Sequence, residues 1–239
     1  MNNVALIFAG GSGTRMNSRS KPKQFLELNG KPIIIYTLEL FENHIDIDGI
    51  IIVCVEGWID YLKKMLVKFD ITKVKDIVAG GSSGQESIYN GLKLATQHYS
   101  EDSVILIHDG VRPLIDDVTI SHNIKTVKEK GSCITCIPAT ETLIVVQEDA
   151  SLEIPSRKNS FLARAPQSFI LGDIWQMHQA ARKEGRNDFV DSCTMMSHYG
   201  RKLATIIGPM ENIKITTPTD FYIFRAIEEV RENSQIFGI

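Results

Sequence analysis

The chain lacks most of the features that assign a protein at a glance. No stretch approaches the roughly 20 consecutive apolar residues that cross a bilayer, so no membrane-spanning helix and no membrane partner are expected. Met1-Asn2-Asn3 leads straight into an apolar run without a basic segment, so no secretory leader is read and a cytoplasmic location is expected. Basic residues are not in excess: 26 Lys and Arg face 29 Asp and Glu, a net charge of −3. Nucleic-acid binders usually carry a strong basic surplus, so nucleic acid is not an expected partner. Cysteine is scarce, with four residues in 239. Cys133 and Cys136 form a C-x-x-C, but no second Cys/His pair stands at zinc spacing. They lie in a strand-like run, where residues three apart point to opposite faces. Both are therefore expected in the core. Internal repeats and low-complexity segments are absent as well.

What is present is alternation. Val4–Ala9, Gly49–Val55, Val74–Val78, Ser103–His108, Cys133–Pro138 and Leu203–Ile207 read as strands. Tyr61–Phe69, Glu86–His98, Val118–Glu129, Gly172–Lys183 and Thr219–Glu232 carry apolar residues at helical spacing, with Thr219 as a helix cap. This order predicts an α/β fold: a mostly parallel, Rossmann-like sheet with helices on both faces. Such sheets bind ligands at the carboxyl ends of their strands. Thr140–Phe169 breaks the alternation and reads as a projecting β-arm.

Four segments carry chemistry. After the first strand comes Phe8-Ala9-Gly10-Gly11-Ser12-Gly13-Thr14-Arg15, followed by Lys23-Gln24. Its glycines let backbone N–H groups approach a phosphate, and Arg15 and Lys23 add fixed positive charge. It is not a P-loop, which would end Gly-Lys-Ser/Thr, nor a dinucleotide fingerprint, which needs glycine where Met16 stands. After the third strand, Gly80-Gly81-Ser82-Ser83-Gly84 opens a helix containing Ser87, a donor or acceptor suited to a base edge. After the fourth, His108-Asp109-Gly110-Val111-Arg112-Pro113 offers a carboxylate at a strand end, a ligand type for magnesium. Arg112 could take a phosphate or pair with Asp109, and His108 reads as packed. Near the end, Lys214 in Asn212–Thr216 is either an edge residue or a phosphate ligand.

Together these motifs resemble the cytidylyltransferases that act on 2-C-methyl-D-erythritol 4-phosphate or ribitol 5-phosphate. The likeness rests on Ala9–Arg15 with Lys23-Gln24, Gly80-Gly81 with Ser87, His108–Pro113, Arg157, Pro166-Gln167-Ser168-Phe169 and Asn212–Thr216, in family order over nearly the whole chain. The resemblance implies a single nucleotidyltransferase domain over residues 1–239 that takes CTP and a polyol phosphate with a divalent cation such as Mg2+. Phe8, Ala9, Gly10, Gly11, Ser12, Gly13 and Thr14 would hold the triphosphate. Arg15 and Lys23 would stabilise the charge of the transition state. Gly80, Gly81, Ser82 and Ser87 would read cytosine, and Asp109 with Gly110 would lie near the ribose and metal. Arg112, Thr142, Arg157 and Lys214 would join Asp109 on the second substrate. The arm would cross to a partner, making a homodimer in which Arg157 serves the neighbour's site.

The departures bear on that second substrate. Gly84 stands where the family usually has arginine, and Arg164-Ala165 where it has Gln-Thr. Val190-Asp191-Ser192-Cys193-Thr194 replaces the Thr-Asp-Asp-Ala-Ser of the methylerythritol branch. Ile154-Pro155-Ser156-Arg157 and Cys193 are similar to the ribitol-phosphate branch, and that substrate is the expectation. Methylerythritol phosphate is the alternative. A sugar-1-phosphate nucleotidyltransferase and a non-catalytic nucleotide-binding module are the more distant readings.

Overall fold

The computed structural model describes residues 1–11 and 21–237, with side chains as far as Asn233. In chain order the strands are β1 (Asn3–Ala9), β2 (Glu27–Leu28), β3 (Lys31–Pro32), β4 (Gly49–Cys54), β5 (Val74–Ala79), β6 (Val104–Asp109), β7 (Ser132–Pro138), β8 (Val145–Val146), β9 (Leu152–Glu153), β10 (Phe161–Ile170) and β11 (Thr205–Ile207). The helices are α1 (Ile33–Asn43), α2 (Ile59–Lys68), α3 (Gly84–His98), α4 (Asp117–Lys130), α5 (Leu171–Lys183), α6 (Ser192–His198) and α7 (Pro218–Phe237). The main sheet runs β11-β7-β10-β6-β1-β4-β5. Every neighbouring pair is parallel except those of β10, which is antiparallel to β6 and β7.

The strands are apolar on both faces because helices cover both. Ala5, Ile7, Ile50, Ile52, Val104 and Leu106 pack with Leu38 of α1, Leu62 of α2 and Ile120 of α4. The alternate residues Val4, Leu6, Ile51, Val53, Ile105 and Ile107 pack with Leu92 of α3, Ile174 of α5 and Met196 of α6. This two-residue period is the geometry of a strand between two layers. It also separates the C-x-x-C pair: Cys133 belongs to the first layer and Cys136 to the second. Both are free and buried, and burial pushes the Cys133 thiol up to about 12.

Two expectations need correction. The arm ends earlier than Phe169, because Phe161–Ile170 is β10, inside the main sheet. Its pattern is hidden by Arg164-Ala165-Pro166, which bulge out of the β7 ladder between Ala163 and Gln167. Pro166 has no N–H to donate, and a bulge is where a strand tolerates that. The remaining arm holds the short β8–β9 hairpin, turned at Gln147–Ser151. The cap of α7 is Thr217 rather than Thr219: Asp220 N donates to Thr217 Oγ1 and Thr217 N donates to Asp220 Oδ2, a reciprocal cap. Helices α1 and α6 were not expected. Ile33-Ile34-Ile35 is a β-branched run that favours strand, yet all three bury in α1.

Candidate active site

The carboxyl ends of β1, β5 and β6 meet at one place. Gly10 follows β1 and Gly80 follows β5, and the two turns touch. A Cβ built on Gly80 would lie 3.3 Å from the Gly10 Cα and 3.1 Å from Ser87 Oγ. Only glycine permits that approach. Gly80 N donates to Cys54 O, and Gly110 N donates to Phe8 O, which locks each turn to the neighbouring strand.

The second turn is braced by its own side chains. Ser83 caps α3 through Glu86 N, and Ser82 donates its N–H and hydroxyl to Glu86 Oε2. Ser87, expected to read a base, is buried. Its hydroxyl accepts from Gly81 N at 2.9 Å and donates to Ser83 O at 2.8 Å. It therefore shapes the turn that presents the backbone of Gly80 and Gly81. Gln24 does similar work for the first loop, donating to Ala9 O at 2.6 Å and to Gly11 O at 3.2 Å. That bond fixes the start of Lys23–Phe25, a single 3-10 turn. Ser12, Gly13, Thr14 and Arg15 lie outside the described residues.

Asp109 is the electrostatic centre. Lys214 Nζ lies 2.6 Å from its Oδ1, and Arg112 Nε lies 2.7 Å from its Oδ2. Burial alone would raise the carboxyl pKa, but Lys214 and then Arg112 outweigh it and hold Asp109 well below the usual carboxylate range. The two positions that were read as alternatives for Arg112 resolve toward the protein: it also donates to Asn212 O at 2.9 Å and is buried. Asn212 in turn donates to Ala165 O at 2.7 Å. Together with Ile215 N donating to Val111 O, these bonds seat the Lys214 segment against the end of β6. That segment is irregular chain and not a strand.

His108 is packed, as expected. Its Nε2 faces Arg112 O at 3.2 Å, which requires the N–H there, and burial pushes its pKa down to about 4. It borders the cleft but stays neutral at pH 7, with its Nε2 proton committed to Arg112 O. Bordering the same cleft, Gln167 donates to Asp191 Oδ2 at 3.1 Å and accepts from Cys193 N at 2.8 Å. Asp191 also caps α6 through Thr194 N. Gln167 and Asp191 entered the sequence reading only as parts of family motifs, without a site role, and Gln85, which ties the second turn to Arg186 O and Phe189 N, was not singled out.

These groups enclose a cleft of about 240 Å³, lined among others by Phe8, Gly84, Asp109, Arg112, Arg164, Gln167, Asp191 and Lys214. A second cleft of about 280 Å³ lies on the outer side of the glycine turn. Its cations are already engaged: Arg182 lies over the Tyr89 ring at 4.3 Å and Arg186 faces Asp188 at 3.4 Å. The smaller cleft is the one at the strand ends. Thr142 and Arg157 do not line it in their own subunit. Both are exposed on the arm, and Arg157 donates to Thr140 O at 3.3 Å. Among the described residues, no group of three His, Cys, Asp or Glu side chains could hold a metal unaided.

The cleft thus offers cations beside ionised carboxylates, next to the glycine turn that ends at Gly84, and among the described residues no activated side-chain nucleophile. That inventory suits the positioning and charge stabilisation of phosphoryl-type chemistry. Comparison with known proteins agrees. The family model for 2-C-methyl-D-erythritol 4-phosphate cytidylyltransferase matches residues 3–229. A ribitol-5-phosphate cytidylyltransferase of Vibrio parahaemolyticus is 55% identical over 99% of this chain and 100% of its own. One from Streptococcus agalactiae is 50% identical over the same shares. A 2-C-methyl-D-erythritol 4-phosphate cytidylyltransferase of Geotalea uraniireducens is 37% identical over 93% of this chain and 95% of its own. The crystal structure of a 4-diphosphocytidyl-2C-methyl-D-erythritol synthase from Anaerococcus prevotii superposes with a TM-score of 0.80 at 25% identity, covering 95% of this chain and 96% of that one.

Proposed function

The chain belongs to the 2-C-methyl-D-erythritol 4-phosphate cytidylyltransferase family, and from that premise we propose that it joins D-ribitol 5-phosphate to CMP from CTP, releasing pyrophosphate. The observation that carries the choice of ribitol is the name borne by full-length relatives at 50–55% identity, against 37% for the relative named for methylerythritol phosphate. CDP-ribitol made in the cytoplasm would feed teichoic acid or capsule synthesis.

An oxygen of the ribitol phosphate attacks the α-phosphorus of CTP in line. The new O–P bond forms as the bond to the β-phosphate oxygen breaks, and the electron pair leaves with pyrophosphate. The nucleophile is already anionic, which suits a site whose histidine is buried and neutral. Gly10 and Gly11 present N–H groups to the triphosphate, and Gly80 and Gly81 present backbone groups to cytosine. Arg15, Lys23 and Lys214 stabilise charge on the transferring phosphate. Asp109, kept ionised by its two cations, holds Lys214 in place and suits a hard divalent cation. Magnesium typically takes one or two carboxylates and completes its shell from substrate phosphates and water, so Asp109 is the residue to hold it. When bound, the cation would neutralise part of the triphosphate charge.

The arm supplies the rest. Ile144, Val146, Leu152 and Ile154 are 58–66% exposed, an apolar surface that a partner would cover. A two-fold symmetric dimer buries it and brings Thr142 and Arg157 to the neighbour's cleft, where they grip the ribitol phosphate.

Pyrophosphate release from a panel of donors and acceptors tests the proposal. CTP with ribitol 5-phosphate and magnesium is expected to give the highest kcat/KM. Faster turnover of 2-C-methyl-D-erythritol 4-phosphate would shift the assignment to the other branch, and equal use of UTP or ATP would remove cytosine reading from the Gly80–Ser87 turn.

A further inference from the structure

The bulge in β10 sends a cation into the cleft that the reaction as described does not use. Ala163 pairs with Cys136 and Gln167 with Ile134, so Arg164, Ala165 and Pro166 stand opposite Thr135 alone. Extra residues of this kind leave the ladder and re-aim side chains, and they recur beside active sites. Here the displaced Arg164 lines the same cleft as Asp109 and Lys214.

Its neighbours are already paired within the protein, whereas Arg164 is not. Lys214 and Arg112 both bind Asp109, and Arg112 also binds Asn212. Arg164 is half-buried and has no hydrogen bond or ion pair among the described residues. The three cations face two carboxylates, and both are already engaged, Asp109 by Lys214 and Arg112 and Asp191 by Gln167 and Thr194 N, so the surplus positive charge falls on Arg164. Burial, and then the Arg112 guanidinium, pushes its pKa below the ordinary guanidinium value. An incoming dianion would offset both effects by favouring the charged guanidinium. Gly84 lines the same cleft and has open space where a side chain would begin, which leaves room for an extended, phosphate-bearing molecule.

We infer that Arg164 binds the phosphate of the acceptor from within its own subunit and so sets the preference for a phosphorylated alditol. The inference rests on the proposed reaction, since the acceptor is the phosphomonoester of that reaction. A guanidinium fork matches the phosphate geometry in a way a lysine does not. Arg164 would hold the ribitol phosphate from the cleft wall while the arm closes on it from the partner.

Steady-state kinetics of wild type, Arg164→Ala and Arg164→Lys, with CTP and ribitol 5-phosphate varied in turn, tests this. In Arg164→Ala the KM for ribitol 5-phosphate is expected to rise about 10- to 100-fold, the effect of losing one charged hydrogen-bond partner, with the KM for CTP unchanged. Arg164→Lys should recover part of the loss. Unchanged kinetics in a variant that melts like wild type would overturn the inference, as would a rise confined to the KM for CTP. Should Arg164→Ala not fold, wild-type protection by unphosphorylated ribitol and by ribitol 5-phosphate is compared. Equal affinity for the two overturns phosphate recognition at this wall. If the wild type does not turn over ribitol 5-phosphate at all, the proposed substrate fails instead, and the two failures are distinguishable.

Discussion

The strand-end cleft and the arm are built on opposite terms. In the cleft the groups around Asp109 hold one another: Asp109 is held by Lys214 and Arg112, Arg112 by Asn212, and Asn212 by Ala165 O. On the arm the β8–β9 hairpin pairs only two residues with two, and Ile144, Val146, Leu152 and Ile154 face outward. The cleft is organised before any ligand arrives, which is how electrostatic catalysis avoids reorganisation cost. On the proposed reading, one subunit carries a finished nucleotide side and an acceptor side that the partner's arm completes.

The sharpest way to break that contrast is to remove charge from the finished half. Lys214→Ala is expected to lower kcat about 100- to 1,000-fold, as for loss of one transition-state contact, with the fold intact because Lys214 is partly exposed. Near-normal kcat would take Lys214 out of the chemistry. The unfinished half should fail differently. Val146→Asp with Leu152→Asp should yield monomers by light scattering while CTP still binds. A dimer that persists would show that the hairpin is not the interface.

Smaller still is a pH effect away from both regions. His178 in α5 is buried, its Nε2 has no partner, and burial pushes its pKa down to about 4. A lowered histidine pKa means the unfolded chain binds the extra proton, so stability falls as pH drops from the ordinary value of 6.5 toward 4. Between pH 7 and pH 5 this one residue costs about 2 kcal/mol. His108 shares the direction. Thermal melts should show the loss, and His178→Phe should lessen it. A His178→Phe protein with the wild-type pH dependence would contradict the assignment.

Much of the cleft was legible in sequence because its groups follow strand ends, where periodicity stops and Gly10, Gly80 and Asp109 begin. The two-face burial of β1, β4 and β6 was equally plain from their apolar runs. What was not legible was hidden by local rules losing to tertiary ones. Ile33–Ile35 favours strand by propensity but packs as α1, and Arg164–Pro166 breaks a strand pattern that the sheet restores through a bulge. The role proposed for Arg157 comes from resemblance alone, and nothing in its own exposed surroundings marks it.

Subunit mixing tests the contrast most directly. An Arg157→Ala subunit is combined with a Lys214→Ala subunit, each nearly inactive alone. If the arm completes the partner's cleft, one site of the heterodimer carries both defects and the other carries neither. Activity is then expected to rise well above either parent, toward half the wild-type rate in the heterodimer fraction. No recovery, with heterodimers shown to form, would mean that each subunit finishes its own site and that the arm only holds the dimer together.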